Sequence, residues 1–142
     1  MDDDDRDKRL EALRSHARPV TRADLLKDGS GIESVSMIAL IANPEAYDGV
    51  KVRFIGYLHM EFEGNAIYLH RDDFENCISK NALCISKPAD VPPDEWQGLN
   101  DQYVICQGTF RADWMGHMAM NSGTIDDIQR LEPWLTRADL AE

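Results

Sequence analysis

Apolar and polar positions alternate from residue 50 to residue 62 of the chain. Every even position in this segment is apolar or glycine, whereas the odd positions are mostly charged, polar or aromatic. A period of two is typical of a strand that buries one face. Because a usual strand has about five or six residues, the pattern predicts an unusually long strand. Gly56 near its middle predicts a bend, so that one strand serves both sides of a small barrel.

Shorter segments of strand character follow the long one. The sequence predicts a hairpin at residues 63–65 and further strands at residues 66–70, 82–86, 102–111 and 117–131. The last strand is interrupted at Gly123, and the apolar residues after it are spaced by three, which predicts a bulge or a helical turn. Five strands with a long first one fit a mainly β fold, a five-stranded Greek-key barrel of the OB type. A five-stranded sheet packed on helices is the competing layout.

Helical segments flank the predicted strands. Residues 35–42 are apolar nearly all round and can be capped by Ser34 or Ser36, which predicts a capped and buried helix. Residues 71–77 predict one helical turn. We divide the chain into a charged N-terminal helical or flexible extension, an OB-like barrel domain and a short C-terminal helix. The bounds are residues 1–33, 34–134 and 135–142.

The charge of the chain restricts its partners. The 142 residues carry a formal net charge of −11, and residues 36–142, with seventeen acidic and eight basic side chains, account for −9 of it. Phosphate backbones are attracted by clustered lysine and arginine, so we do not expect nucleic acid as the main partner. The same negative field attracts a basic protein and speeds the encounter.

The cysteine content indicates a reducing compartment. The three cysteines lie at positions 77, 84 and 106 and form no C-x-x-C pair, which favours free thiols. The N-terminus is acidic without an apolar run, and no window approaches the roughly 18 apolar residues of a membrane span. We therefore expect a soluble cytoplasmic protein without a membrane partner.

Several segments resemble a known group of proteins. Residues 36–58, 103–110 and 122–125, with their "strand, Gly, Tyr-Leu" and "Tyr-Val-x-x-x-Gly-Thr-Phe" pieces, are similar to small single-domain bacterial OB-fold-like proteins. Most of those proteins have no assigned function. The resemblance covers roughly residues 35–134, implies the OB-like fold, and brings no catalytic residue with it. OB folds bind single-stranded nucleic acid, sugars or proteins, so the resemblance alone does not select among these ligands.

Acidic side chains gather in the sequence around the predicted hairpin and after the second strand. We predict that they form a partner-binding surface together with a tryptophan in the turn between the last two strands. These residues are Glu61, Glu63, Asp72, Asp73, Glu75 and Trp114. The predicted partner is a basic protein, and one form of this role is an immunity protein or antitoxin that neutralises a bacterial toxin. The simpler alternative is an acidic face that only keeps the protein soluble.

Aromatic and basic side chains on the outer face of the first two strands predict an alternative function. They are Arg53, Tyr57, His59, Tyr68 and His70. Aromatic rings stack on bases and cations hold phosphates, so an OB domain with this face could bind single-stranded nucleic acid or a small ligand. Cross-strand pairs on a solvated or helix-covered face explain the same residues without a ligand.

The sequence does not favour an enzyme. It has no glycine-rich phosphate loop and no serine elbow. Cys77 with His59 or His70 could form a thiolate–imidazole pair, but the spacing does not require one. His59, His70, His117 and Asp113 show no local metal-ligand spacing. We therefore expect no catalytic residue, no metal and no cofactor.

Overall fold

The structure is a computed structural model that describes Arg6, Lys8 and residues 31–61, 64–86, 96–113 and 120–141. Within these ranges the strands are β1 Ile32–Ser34, β2 Lys51–His59, β3 Ala66–Tyr68, β4 Ala82–Ile85, β5 Gln102–Arg111 and β6 Thr124–Pro133. The helices are α1 Met37–Ala42, α2 Arg71–Glu75 and α3 Arg137–Leu140. Single 3₁₀ turns cover Pro44–Tyr47, Ser79–Asn81 and Gln97–Leu99. None of the helices in the described ranges is long and apolar enough to span a membrane.

Five of these strands close into a barrel. The hydrogen-bonded order is β2-β3-β4-β6-β5, and β5 pairs back onto β2. All neighbours are antiparallel except β4 and β6, which are parallel. The last strand, β6, thus lies between β4 and β5, as in an OB-like Greek-key barrel. The predicted mainly β, OB-like fold is therefore confirmed. β1 adds a short parallel strand beside the start of β2.

β2 is the strand that joins the two sides of the barrel. It pairs with β1 through Lys51–Arg53, with β3 through Tyr57–His59, and with β5 along nearly all its length. Gly56 lies where the pairing changes from β1 to β3. A Cβ at this position would lie 2.4 Å from Ile67 Cγ2 and 2.7 Å from Met37 Sδ, so only glycine lets β2, β3 and α1 approach this closely. β2 ends at His59, which is earlier than the predicted residue 62.

The core lies inside the barrel and has the predicted phase. The apolar side chains of β2, β5 and β6 that are at most 2% exposed are Val52, Phe54, Leu58, Val104, Cys106, Phe110 and Ile125. α1 covers one end of the barrel with Met37 and Leu40, which are 1% and 0% exposed. The prediction that this helix is buried all round is wrong, because Ile38 is 60% exposed. A helix of six residues packs only one side against the barrel, so its other side stays in water.

The last strand contains the predicted bulge and not a helical turn. Gln107 on β5 pairs with Arg130, and Thr109 pairs with Asp126, so β6 has two more residues than β5 between these pairs. Asp127 takes a left-handed φ of 48° there, which bends the strand. β6 then continues to Pro133, past the predicted end at residue 131.

Little of the predicted N-terminal extension belongs to the described residues, whereas α3 near the other end of the chain is described with its cap. The N-terminal extension predicted for residues 1–33 lies almost entirely outside the described residues, although Ile32 and Glu33 already belong to β1. At the other end, Thr136 accepts a hydrogen bond from the Asp139 backbone N–H, and Asp139 accepts one from the Thr136 backbone N–H. This capping box fixes the start of α3.

Candidate functional site

The helix α2 lies on the outer face of β2 and β3. Its start is fixed by Asp73, whose carboxylate accepts hydrogen bonds from the His70 backbone N–H at 3.0 Å and from the Asn81 side chain at 2.9 Å. The sequence predicted Asp73 as a partner-binding residue. In the structure both of its oxygens already serve the helix start and the following turn.

Phe74 from α2 covers the face that was predicted to bind a ligand. Its ring centroid lies 5.8 Å from that of Tyr57, 4.1 Å from that of His59 and 5.5 Å from that of Tyr68. Tyr57 also meets Tyr103 edge to face at 5.4 Å, and it is only 5% exposed. Tyr57 is therefore covered and not exposed, so of the two explanations given for this face the helix-covered one describes Tyr57. The strand phase is the predicted one, but the helical turn after β3 folds back over this face.

The buried Tyr57 and the half-buried Tyr68 behave as packing groups. Burial, followed by the nearby Asp101 carboxylate, raises the pKa of Tyr57 above its ordinary value. Burial also raises the pKa of Tyr68. Both phenols therefore stay protonated and uncharged at neutral pH, which suits their place between a helix and a sheet.

The imidazole of His59 is held on three sides. Its Nδ1 lies 2.6 Å from Asp101 Oδ1, its Nε2 lies 3.0 Å from Glu61 Oε1, and Phe74 stacks on its ring. Asp101 comes from the turn before β5 and has a left-handed φ of 58°. Sequence patterns did not single out Asp101, because a turn residue has no periodicity to indicate which way its side chain points. His59 is thus a fixed part of the surface.

Four exposed acidic side chains lie around the face that Phe74 covers. We call Glu61, Asp72, Glu75 and Asp101 the acidic arc. Their side chains are exposed, with Glu61, Glu75 and Asp101 at 65%, 49% and 50%. Glu75 accepts a hydrogen bond from Arg71 Nε at 2.8 Å, a pair on the surface of α2. The arc therefore keeps two of the predicted residues on α2 and one at the end of β2, and it adds Asp101.

The other predicted residues lie elsewhere. Glu63 and Trp114 are outside the described residues. Arg53 lies toward the β1 end of β2, is half-buried, and its Nε donates to Gln107 Oε1 at 3.4 Å. His70 is exposed at the start of α2.

A groove beside the arc contains apolar side chains that the sequence did not select. We call it the Trp134 groove. Its apolar end has a volume of about 640 Å³ and is lined by residues that include Ile38, Ile55, Leu69 and Trp134. It continues past Tyr103, Trp134 and Thr136 into a polar end of about 490 Å³. Residues lining that end include Arg71, Asp101, Leu135 and Asp139.

The part of the chain that the structure describes contains no candidate metal site and one deeply buried thiol. No group of three or more histidine, cysteine or acidic side chains among them could hold a metal ion. Cys77 is exposed, Cys84 is half-buried and Cys106 is fully buried. Burial raises the pKa of Cys106 to about 12, so this thiol is an unreactive core group, as its inward phase predicts.

Comparison with known proteins finds only distant structural likenesses. The sequence matches no protein-family profile and no curated protein sequence. Among solved structures it is similar to a DUF3299 family protein from Pseudomonas aeruginosa PAO1, with 16% identity over 65% of this chain and 66% of that chain and a TM-score of 0.45. It is also similar to the Stn1–Ten1 complex of S. pombe, with 12% identity over 78% and 84% of the two chains and a TM-score of 0.48. For the telomere capping protein Ten1 from Saccharomyces pombe the identity is 13%, over 75% and 84%, with a TM-score of 0.44. Likenesses this distant carry no functional argument, and the OB-like fold rests on the strand order described above.

Proposed function

We propose that the chain is a non-enzymatic binding module whose acidic arc recognises a basic protein partner. The observation that carries this proposal is the contact of Phe74 with Tyr57, His59 and Tyr68, with carboxylates around it. The aromatic rings that would stack on a ligand are already stacked on one another. The groups left for a partner on this face are mainly negative.

Electrostatics supports a basic partner over a nucleic acid. A phosphate backbone approaching the arc meets Glu61, Asp72 and Asp101 at exposed positions. Exposed charges interact over about 8–10 Å at physiological salt, so they act on an approaching molecule before any contact forms. A cationic protein is attracted by this field and associates faster than a neutral one.

The alternative function is an OB domain that binds single-stranded nucleic acid or a small ligand. It would need the outer face of β2 and β3 for base stacking. Phe74 already occupies the space over Tyr57 and His59 in that face. Nucleic-acid binding is therefore the alternative that a titration with a single-stranded oligonucleotide tests.

A narrower form of the proposal is an immunity protein or antitoxin that neutralises a basic toxin in the bacterial cytoplasm. A toxin that acts on nucleic acid is itself basic, and an acidic protein of −11 would meet it rapidly. The three cysteines are free thiols, which suits a reducing compartment.

Affinity capture with charge-reversed variants tests the proposal. The full chain is immobilised, and proteins retained from the source lysate are quantified for three baits. These are the wild type, the arc reversal Glu61→Lys with Asp72→Lys, and the control reversal Glu45→Lys with Asp113→Lys. Both variants change the net charge by the same amount, and Glu45 and Asp113 are exposed outside the arc. We expect a basic protein that the wild type and the control retain and the arc reversal loses. Equal retention by all three baits, or retention of acidic proteins, would contradict the proposal.

A further inference from the structure

We propose that the Trp134 groove docks an amphipathic segment of the basic partner. Large apolar side chains of the segment would fill the end lined by Ile38, Ile55 and Trp134, and a lysine or arginine would lie beside Asp101 and Asp139. This inference rests on the proposed function, since it names the part of the partner and the place where it binds. Asp101 belongs to both the acidic arc and the groove, so one partner can contact the two surfaces at once.

The apolar end of the groove gathers side chains that water does not favour. Ile38 is 60% exposed, Ile55 is 38% exposed and Trp134 is 44% exposed, and all three line the same concavity. Leu135, at 59% exposed, lines the adjoining polar end. Single exposed apolar residues are common on proteins, whereas several around one groove mark a binding surface.

Each of these side chains faces outward for a local reason. Met37 and Leu40 pack α1 against the barrel, which leaves Ile38 on the opposite side of a short helix. Ile55 has an odd position in β2 and lies on the outer face of that strand. The Trp134 backbone N–H donates to the Tyr103 carbonyl at 2.9 Å, so the chain after Pro133 is held along β5. The backbone of Trp134 is therefore held before binding, so a partner that docks on the indole does not have to order this segment of the chain.

The polar end supplies charge complementarity. Asp101 and Asp139 line it, and Arg71, which is hydrogen-bonded to Glu75, is the one lysine or arginine among its described lining residues. A carboxylate can accept about four hydrogen bonds, so the contacts of Asp101 with His59 and of Asp139 with Thr136 leave room for a cation. The hydrogen bonds from Thr136 also hold the pKa of Asp139 below its usual value, which keeps that carboxylate ionised.

A basic segment fits this groove better than a second copy of the chain. Two copies would each bring a net charge of −11 and the same two carboxylates to the contact. Like charges placed together across an interface are unfavourable. The proposed occupant of the groove is therefore a segment of another protein, with large apolar side chains and at least one lysine or arginine.

A phage-displayed library of random dodecapeptides is the probe. It is selected on the immobilised full chain and counter-selected on the variant Trp134→Ala with Ile38→Asp. We expect the enriched peptides to combine two or more of Leu, Ile, Phe, Met and Trp with at least one Lys or Arg. A synthetic labelled copy of the strongest peptide is then titrated by fluorescence anisotropy. Trp134→Ala should weaken binding by about 30-fold, as expected for a central interface tryptophan.

Matched variants separate the possible outcomes. Ile78→Ala is the control, because Ile78 is 45% exposed but does not line the groove, and it should leave the affinity unchanged. Asp101→Asn with Asp139→Asn should weaken binding of the Lys-containing peptide but not of its Lys→Gln version. Coincident urea-unfolding midpoints of wild type and variants show that the fold is retained.

The inference is wrong if no peptide is enriched over the counter-selected variant, or if the enriched peptides are acidic or lack apolar anchors. It is also wrong if light scattering shows a dimer that Trp134→Ala dissociates, because a second copy then fills the groove. These results leave the proposed function intact when the arc reversal still loses the captured basic protein. Loss of the proposed function instead appears as equal capture by the wild type and the arc reversal.

Discussion

The imidazole of His59 stacks on the ring of Phe74, with their centroids 4.1 Å apart and their planes inclined by 29°. His59 is the last residue of β2, and Phe74 is carried by α2. This contact ties the helix to the barrel and closes the outer face of β2 and β3, which the sequence predicted as an alternative ligand-binding face. The exposed carboxylates of Glu61, Glu75 and Asp101 belong to the surface around this closed face.

Phe74→Ala should lower the free energy of unfolding by about 2 kcal/mol, less than the 3–5 kcal/mol of a fully buried phenylalanine because Phe74 is half-buried. The substitution removes its ring contacts with Tyr57, His59 and Tyr68. Urea unfolding followed by circular dichroism measures the change. Ile78→Ala, at an exposed position, should cost less than about 0.5 kcal/mol. Equal effects of the two substitutions would show that the ring contacts contribute no stability.

Substitution of Asp73 and of Asp72 should lower the free energy of unfolding by different amounts, although the two acids are adjacent on α2. Asp73→Ala removes the acceptor for the His70 N–H and for Asn81, and we expect a loss of about 1 kcal/mol. Asp72→Ala removes only an exposed charge near the helix start and should cost about 0.5 kcal/mol or less. Thermal or urea unfolding of both variants tests this. A larger loss for Asp72→Ala would contradict the assignment of Asp73 as the cap.

Gly56→Ala should destabilise the barrel by about 2 kcal/mol, because the added Cβ overlaps a packed core. Its nearest neighbours would be Ile67 Cγ2 at 2.4 Å and the Tyr68 carbonyl oxygen at 2.7 Å. Gly98→Ala is the control, since a Cβ there meets nothing within 4 Å. The urea midpoints of the two variants give the comparison. An unchanged midpoint for Gly56→Ala would mean that β2 and β3 are not as close as described.

The buried thiol of Cys106 should cause the free energy of unfolding to fall as the pH rises above about 9. Its pKa of about 12 in the folded protein lies above the ordinary thiol value of 9.0 because the thiol is buried. The folded state therefore holds this proton more tightly than the unfolded state. The contribution is fully present below about pH 9 and is lost as the pH rises from 9 to 12.

Unfolding midpoints of wild type and Cys106→Ala between pH 7 and 11 test this dependence. The variant is expected to be less stable at neutral pH, because a small cavity remains, but to lose less stability as the pH rises. Cys77→Ala, at an exposed thiol, should follow the wild-type slope. Parallel curves for the wild type and Cys106→Ala would contradict the burial of this thiol.

Much of the barrel could be predicted from the side-chain pattern. The alternation in β2 and β5 decides which side chains enter the core, because a strand with one buried face must keep its apolar side chains on that face. The spacing after Gly123 indicated the bulge near Asp127. These features depend on neighbours in the sequence, and the pattern contains that information.

The candidate site could be predicted only in part, because it depends on how separate elements pack. Nothing local says that α2 folds over Tyr57, nor that Asp73 accepts two hydrogen bonds while Asp72 does not. The exposure of the tryptophans could not be predicted from their positions in the sequence either. Trp96 and Trp134 both lie at element ends, yet Trp96 is 6% exposed and Trp134 is 44% exposed. The pairing of Pro133 with Val104 and the hydrogen bond from the Trp134 N–H to the Tyr103 carbonyl hold the Trp134 backbone beside β5, and sequence spacing does not indicate either contact.

The most direct test of the closed, acidic face is a titration with a fluorescently labelled single-stranded oligonucleotide at about 20 mM salt, where phosphate contacts are strongest. The structure predicts that the wild type does not raise the anisotropy at protein concentrations up to about 100 µM, the weak end of non-specific nucleic-acid binding. Micromolar binding that is lost in Tyr68→Ala and kept in Ile78→Ala would contradict this. It would mean that the aromatic face opens to bases and that the chain is a nucleic-acid-binding OB domain.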